Sequence, residues 1–172
     1  MGDGMDSEAE LAAFCRREHP RLTAVLGAYV DDGSVGEELA QEALVRVAAR
    51  WGRVRRMDNP SAFAYRVGLN LATSHLRRRQ AERRARARLV DRSAMTQTDA
   101  DAATVLTVRR ELAALPRAQR QAVALRHVAG MTVEEVATTL GISEEAVRSR
   151  CKRGMAQLRR QLEVDEEATT DA

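Results

Sequence analysis

Residues 131–160 read MTVEEVATTLGISEEAVRSRCKRGMAQLRR, and this stretch decides the fold. Thr132 and Glu135 stand three apart, the spacing of a capping box. Val133, Val136, Ala137 and Leu140 follow at i, i+3, i+4 and i+7, one apolar face of a short helix. Gly141 supplies the left-handed residue that ends it, and Ile142 plugs the turn. Ser143 then caps a second helix, with Glu144 and Glu145 favourably placed in its first turn. That helix is expected to bury Val147, Cys151, Leu158 and Leu162. At about 100° per residue, Glu145, Arg148, Ser149, Lys152 and Arg153 project from the other side. A short helix, a glycine turn and a helix with a basic outer face make a helix-turn-helix. The bland alternative is a helical hairpin with a solvated charged face.

Outward from this unit, the rest also reads as helices. Pro116 opens the preceding helix, with Val123 and Leu125 inside, and Gly130 stops it. Before it, a helix from near Asp101 carries Val105, Val108 and Leu112 and ends at Leu115. Residues 80–100 lose the apolar pattern and read as a linker, partly helical at its Arg-Ala start. Further upstream, Asn59 caps a helix with Pro60 in its first turn. It is expected to run to about Arg79 with Phe63, Ala64, Val67 and Leu71 inward. Residues 52–58 read as an Arg-rich loop. Ser34 and Glu37 form a second capping box, opening a helix to about Trp51. Leu39, Ala40, Ala43, Leu44, Val47 and Trp51 face its core side, and Glu38, Gln41, Glu42 and Val45 the other. Residues 7–29 carry Leu11, Phe14, Leu22, Val25, Leu26 and Tyr29 near helical spacing, with Pro20 as an expected kink or break. Asp31-Asp32-Gly33 reads as a turn. The fold class is therefore all-α, with two small helical domains joined by a flexible linker.

Composition narrows the function. The chain has 172 residues, 44% hydrophobic and only 3% aromatic, so the cores must be built from Ala, Val and Leu. A large aromatic-lined pocket is excluded. No apolar run approaches the roughly 18 residues needed to cross a membrane, and the first 20 residues show no secretory pattern. A cytoplasmic location is expected. Cys15 and Cys151 are far apart, and a reducing compartment favours free thiols. His19, His75 and His127 are scattered, so no Cys or His pair has metal-ligand spacing. No phosphate-binding or nucleophile motif is present. No metal, cofactor, catalytic residue or small-molecule substrate is expected.

The net charge of +3 conceals two basic zones. Residues 77–92 hold 8 Arg against 2 acids, and residues 143–160 hold 6 basic residues against Glu144 and Glu145. That distribution is the electrostatic footprint of a nucleic-acid binder. Lys152 is the only lysine, which points also to a coding bias toward Arg.

Taken in order, Glu37-Glu38-Leu39-Ala40-Gln41-Glu42, Asn59-Pro60, Asn70, Arg77-Arg78-Arg79, Leu115-Pro116 and Val147-Arg148-Ser149-Arg150 resemble extracytoplasmic-function sigma factors. These are small bacterial initiation subunits of RNA polymerase. Trp51-x-Arg53-Val54-Arg55 before Asp58-Asn59-Pro60 is similar to an actinobacterial, sigma-E-like branch. The resemblance implies sigma domain 2 over 7–80, a linker over 81–101, sigma domain 4 over 102–163 and an acidic, frayed tail over 164–172, with no further domain.

It also implies partners and roles. Domain 2 would bind the clamp helices of core polymerase through Glu38, Gln41, Glu42 and Val45. It would read the melted minus-ten element through Arg53, Arg55, Arg56, Arg66, Asn70, Thr73, Arg77 and Arg78. Arg66, Asn70, Thr73 and Arg77 fall on one stripe of a helix, where Asn suits a base edge and Arg a phosphate. The loop 52–58 matches the place where the family captures a flipped base. Domain 4 would bind the polymerase flap and read the minus-thirty-five duplex through Glu145, Arg148, Ser149, Lys152 and Arg153. An anti-sigma factor is a further partner to consider. Ser74, Leu69 and Lys152 depart from the family's usual residues, and Trp51 reads as core rather than as a stacking platform. A stand-alone helix-turn-helix repressor would leave 7–79 unexplained and lacks a dimer seam. A nuclease holding metal on Glu38 and Glu42 lacks a third ligand.

Overall fold

The structure is a computed structural model that describes residues 2–87 and 103–170. Among these residues every regular element is helical. An N-terminal bundle contains α1 (Gly2–Val30), α2 (Gly33–Ala48), the short α3 (Trp51–Val54) and α4 (Pro60–Ala87). A C-terminal bundle contains α5 (Ala103–Ala114), α6 (Arg117–Val123), which runs on as a π-helical turn (Ala124–Val128), α7 (Val133–Leu140) and α8 (Glu144–Thr170).

The expected break at Pro20 does not occur, and α1 passes through it. Phe14 on one side and Leu22, Val25, Leu26 and Tyr29 on the other are all buried. Packing along both halves outweighs the one backbone hydrogen bond a proline removes. The turn falls at Asp31 and Asp32, and Asp31 adopts φ 59°. The second helix is capped by Asp32 rather than by a Ser34–Glu37 box. The Asp32 carboxylate accepts from the Val35 N–H at 3.1 Å, which leaves Ser34 inside the first turn. α2 ends at Ala48 and not at Trp51. Trp51 and residues 52–54 of the expected loop form α3, with Trp51 and Val54 buried.

The inner face of α2 is as expected, with Leu39, Ala40, Ala43, Leu44 and Val47 buried. Where α2 crosses α1 the backbones nearly touch. A Cβ placed on Gly36 would lie 2.3 Å from the Gly27 amide nitrogen. α4 starts as the sequence indicates, the Asn59 Oδ1 accepting from the Ala62 N–H at 2.8 Å. It continues past Arg79 to Ala87. Its core face is Ala62, Ala64, Tyr65, Leu69, Leu71 and Ala72, while Phe63 and Val67 are half-buried. Leu69 is therefore core.

In the C-terminal bundle Leu112, Val123 and Leu125 are buried as expected, and Leu115, read only as the end of a helix, is buried with them. The side chains of Val105 and Val108, and most of the expected linker, lie outside the described residues. The π turn over 124–128 had no sequence signal. The expected frayed tail is instead helical as far as Thr170, continuous with α8. The two bundles share one contiguous set of buried residues, from Phe14 to Leu158. The π turn and α5 lie against α1, and α7 lies against α4.

Candidate nucleic-acid and polymerase interfaces

The helix-turn-helix forms as its residues dictate. Thr132 Oγ1 accepts from the Glu135 N–H at 3.1 Å, and the Glu135 carboxylate accepts from the Thr132 N–H at 2.7 Å. α7 ends at Gly141 in the left-handed region, φ 66° and ψ 43°. Ser143 Oγ then accepts from the Ala146 N–H at 3.2 Å, opening α8. Val147 and Leu158 are buried, while Ile142, Cys151 and Leu162 are half-buried. Glu145, Arg148, Ser149, Lys152 and Arg153 are all exposed, on the side of α8 away from the core. Arg148 is drawn back to Glu144 by an i, i+4 ion pair of 2.6 Å. An exposed pair of that kind is worth under about 1 kcal/mol, so a phosphate or base edge can displace it.

The candidate minus-ten residues are brought together only in part. Arg53 and Arg56 are exposed beside α3. Arg55 is half-buried and bonded to Glu10 at 3.0 Å. Asn70, Arg77 and Arg78 are exposed on α4. Thr73 is not available for DNA as expected. It is buried, and its hydroxyl shares a 3.3 Å hydrogen bond with that of Tyr29. It follows the core residue Leu69 by four and precedes half-buried Leu76 by three, so its short side chain flanks the core face. Arg66 is exposed, but its guanidinium is engaged. It donates to the carbonyls of Thr138 at 2.6 Å and Thr139 at 3.0 Å, across the junction between bundles. Ser74 is exposed and donates to the Asn70 carbonyl at 2.9 Å, so it forms no internal ion pair.

Trp51 is core. It packs against Phe14 with ring centroids 5.1 Å apart, and its indole N–H donates to the Ser7 carbonyl at 3.0 Å. Buried Glu18 accepts from Ser61 Oγ and from Arg17 Nε, both at 2.9 Å. Sequence reasoning overlooked this charge at the base of α4, where Ser61 follows Pro60.

The outer face of α2 is as the sequence indicates. Glu38, Gln41, Glu42 and Val45 are exposed. Val45, at 67%, is the more exposed of two large hydrophobic residues left open among those described. Glu42 pairs with Arg46 at 2.5 Å and Gln41 with Glu37 at 3.4 Å, both along the same helix. An apolar side chain amid acids and an amide suits a basic protein partner and repels phosphate.

Among the described residues no group of three or more His, Cys, Asp or Glu side chains could hold a metal ion. No described helix is long and apolar enough to cross a membrane. Burial pushes the Cys15 and Cys151 thiols above the ordinary range, opposite to what a reactive thiolate requires.

Comparison with known proteins agrees with this geometry. The family model described as Sigma-70 region 2 matches residues 14–82, and that described as Sigma-70, region 4 matches residues 112–160. The chain is 33% identical over 156 residues to the RNA polymerase sigma-E factor of Streptomyces avermitilis, covering 90% of this chain and 86% of that one. It is 29% identical over 147 residues to the ECF RNA polymerase sigma factor SigM of Mycobacterium tuberculosis, covering 86% and 74%. Its fold is similar to that of the sigma factor RpoE of Bartonella quintana, solved in complex with the anti-sigma factor NepR. That match has a TM-score of 0.71 at 23% identity and covers 93% of this chain and 98% of the other. It is also similar to CnrH, solved with the cytosolic domain of CnrY, at TM-score 0.66 and 20% identity over 92% and 90% of the chains.

Proposed function

Because the chain belongs to the sigma-70 family, as a sigma factor of the extracytoplasmic-function type, we propose a division of labour between its two bundles. The chain binds core RNA polymerase and directs promoter-specific transcription initiation. Sigma factors are initiation factors, not catalysts, and we assign this chain no chemistry of its own. Domain 2 spans 7–80 and domain 4 spans 102–163, with 81–101 between them. The outer face of α2 docks on polymerase. Arg53, Arg56, Asn70, Arg77 and Arg78 meet the melted minus-ten strand, joined by Arg66 once it is released. The exposed face of α8 enters the major groove of the minus-thirty-five duplex. The α8 face carries this reading, because cap, glycine turn, buried seam and outward Arg148, Ser149, Lys152 and Arg153 all coincide there. An anti-sigma factor is a further proposed partner, since RpoE shares this fold and was solved with the anti-sigma factor NepR. The site of action is the cytoplasm, where polymerase and promoter are.

The test is run-off transcription with purified core polymerase. The chain alone should bind promoter DNA poorly, and with core it should bind and initiate specifically. A tight palindromic footprint without polymerase would instead identify a repressor.

The α8 readers should separate by role. An Arg that reads guanine bidentately contributes about 1–3 kcal/mol of discrimination, whereas a phosphate contact is largely sequence-blind. Arg148→Ala should relax preference at one upstream promoter position. Arg153→Ala should weaken all sequences alike and reduce the salt slope by about one unit. Promoter libraries varied in each element distinguish the two. Equal loss at both elements for Arg148→Ala would mean that the residue supports the fold.

A further inference from the structure

One stripe of α1 holds the chain that follows α2 at four points. Ser7, Glu10, Phe14 and Glu18 stand at i, i+3, i+7 and i+11, on one side of the helix. The Ser7 carbonyl accepts from the Trp51 indole N–H at 3.0 Å, and Phe14 packs against the Trp51 ring. Glu10 accepts from Arg55 at 3.0 Å, and Glu18 accepts from the Ser61 hydroxyl at 2.9 Å. The segment 56–60 is therefore tied at both ends to one rigid helix, across about 12 Å of its axis. Between the ties Met57 packs against the core, while Arg56 and Asp58 are exposed.

The two ties differ in kind. The Glu10–Arg55 pair is open to solvent on its Glu10 side and holds weakly. Glu18 is the one charged residue buried among those described. Arg17, bonded to it at 2.9 Å, keeps half its side chain in solvent and lies over the Phe14 ring. Burial, and then the nearby Glu18 carboxylate, raise the Tyr65 phenol. A buried carboxylate is a poor source of stability, since an apolar side chain of similar size would hold α1 against α4 at least as well. It supplies direction instead. Its inter-helix donor is in the first turn of α4, two residues after the Asn59 cap. A slip of α4 along α1, which an apolar contact would tolerate, breaks that bond and strips a buried charge of a partner.

We propose that Glu18 is a positioning residue for promoter recognition. Through Ser61 it fixes the register of α4 and of the segment 55–59 on α1, and so sets the base preference expressed at the melted element. Glu10 is the weaker tie at the other end. The inference rests on the sigma-factor reading above, in which Arg56 and Asn70 meet the melted strand. Arg56 lies five residues before Ser61 and Asn70 nine after it, so a shift at Ser61 moves both. A base-edge hydrogen bond fails with a small error of distance or angle, whereas charge attraction to phosphate tolerates one. Glu18 therefore acts on discrimination more than on affinity.

The test uses the chain with core polymerase on promoter libraries randomised separately in the melted and upstream elements. Glu18→Gln keeps the size of the side chain and removes its charge. Ser61→Ala removes the donor, and Ser61→Thr restores a hydroxyl. Glu18→Gln and Ser61→Ala should each reduce discrimination at the melted element by about tenfold, and the double variant should be no worse than the stronger single one. Glu10→Ala should reduce it by no more than about fivefold. Ser61→Thr should recover most of the preference. Preference at the upstream element and affinity for core should not move. Hydrogen exchange of the free chain should quicken over 55–59 and not over 143–153. Variants that melt at a lower temperature yet keep wild-type discrimination, or that lose both elements equally, would reduce Glu18 to a fold residue and overturn the inference. A wild-type chain with no core-dependent preference at the melted element would overturn the sigma reading and this inference with it, a failure visible before any variant is made. If Glu18→Gln does not fold, the Ser61 pair decides.

Discussion

Replacing Gly36 by Ala should destabilise the N-terminal bundle by more than about 3 kcal/mol, a large share of the roughly 5–15 kcal/mol that holds a domain together. The reason is a backbone collision. A Cβ on Gly36 would stand 2.3 Å from the Gly27 nitrogen and 2.4 Å from its Cα. Overpacking against a side chain usually costs about 1–3 kcal/mol because the neighbour can turn aside. Here the neighbour is the backbone of α1, so the two helices must separate along their whole contact. Leu39, Ala40, Ala43 and Val47 of α2 and Leu22, Val25 and Leu26 of α1 are buried in the same core and would lose packing together. A melting temperature lower by roughly 10 °C follows for a chain of this size, read by circular dichroism. Gly52→Ala is the matched control, since a Cβ there meets nothing within 4 Å. It should be neutral or slightly stabilising. Equal melting of both variants would show that α1 and α2 do not approach as described.

Gly36 also shows where a sequence stops being readable. Its role depends on Gly27, nine residues away on another helix, and no local pattern pairs them. Features confined to one turn were legible. The Thr132–Glu135 box, the left-handed Gly141, the Ser143 cap and the Asn59–Pro60 start each involve residues within four of one another. The outer faces of α2 and α8 followed from helical period alone. Misreadings came where two local signals competed or distant packing intervened. Asp32 and Ser34 are both good caps, and only the path of the chain after Asp31 decides between them. Pro20 signals a break, but burial on both sides of it carries α1 through. Thr73 and Arg66 share one stripe of α4, yet Tyr29 claims the first and α7 the second. The stripe marked the right surface and missed what covers part of it. The π turn over Ala124–Val128 and buried Glu18 are tertiary in origin, and no spacing in the sequence marks either.

The other large effect concerns the outer face of α2. Changing Glu38 and Glu42 together to Lys should weaken capture of core polymerase by more than about 100-fold, because like charges set against a basic partner cost several kcal/mol. The milder Glu38→Ala with Gln41→Ala should weaken it by about 10- to 100-fold, the range of an interface centre. Glu38, Gln41, Glu42 and Val45 stand at i, i+3, i+4 and i+7, a single stripe, and none of them touches the buried seam of Leu39, Ala43 and Val47. Folding should therefore be untouched apart from the exposed Glu42–Arg46 pair, worth under about 1 kcal/mol. Val45→Asp probes the apolar centre of the stripe without changing the acids and should also weaken capture. Anisotropy of a labelled chain titrated with core polymerase measures the affinity, and thermal melts confirm the fold. A charge-reversed variant that bound core normally yet failed to bind DNA would place the acidic face against nucleic acid. That outcome contradicts the repulsion that the Glu38 and Glu42 carboxylates, the second of them paired with Arg46, exert on a phosphate backbone.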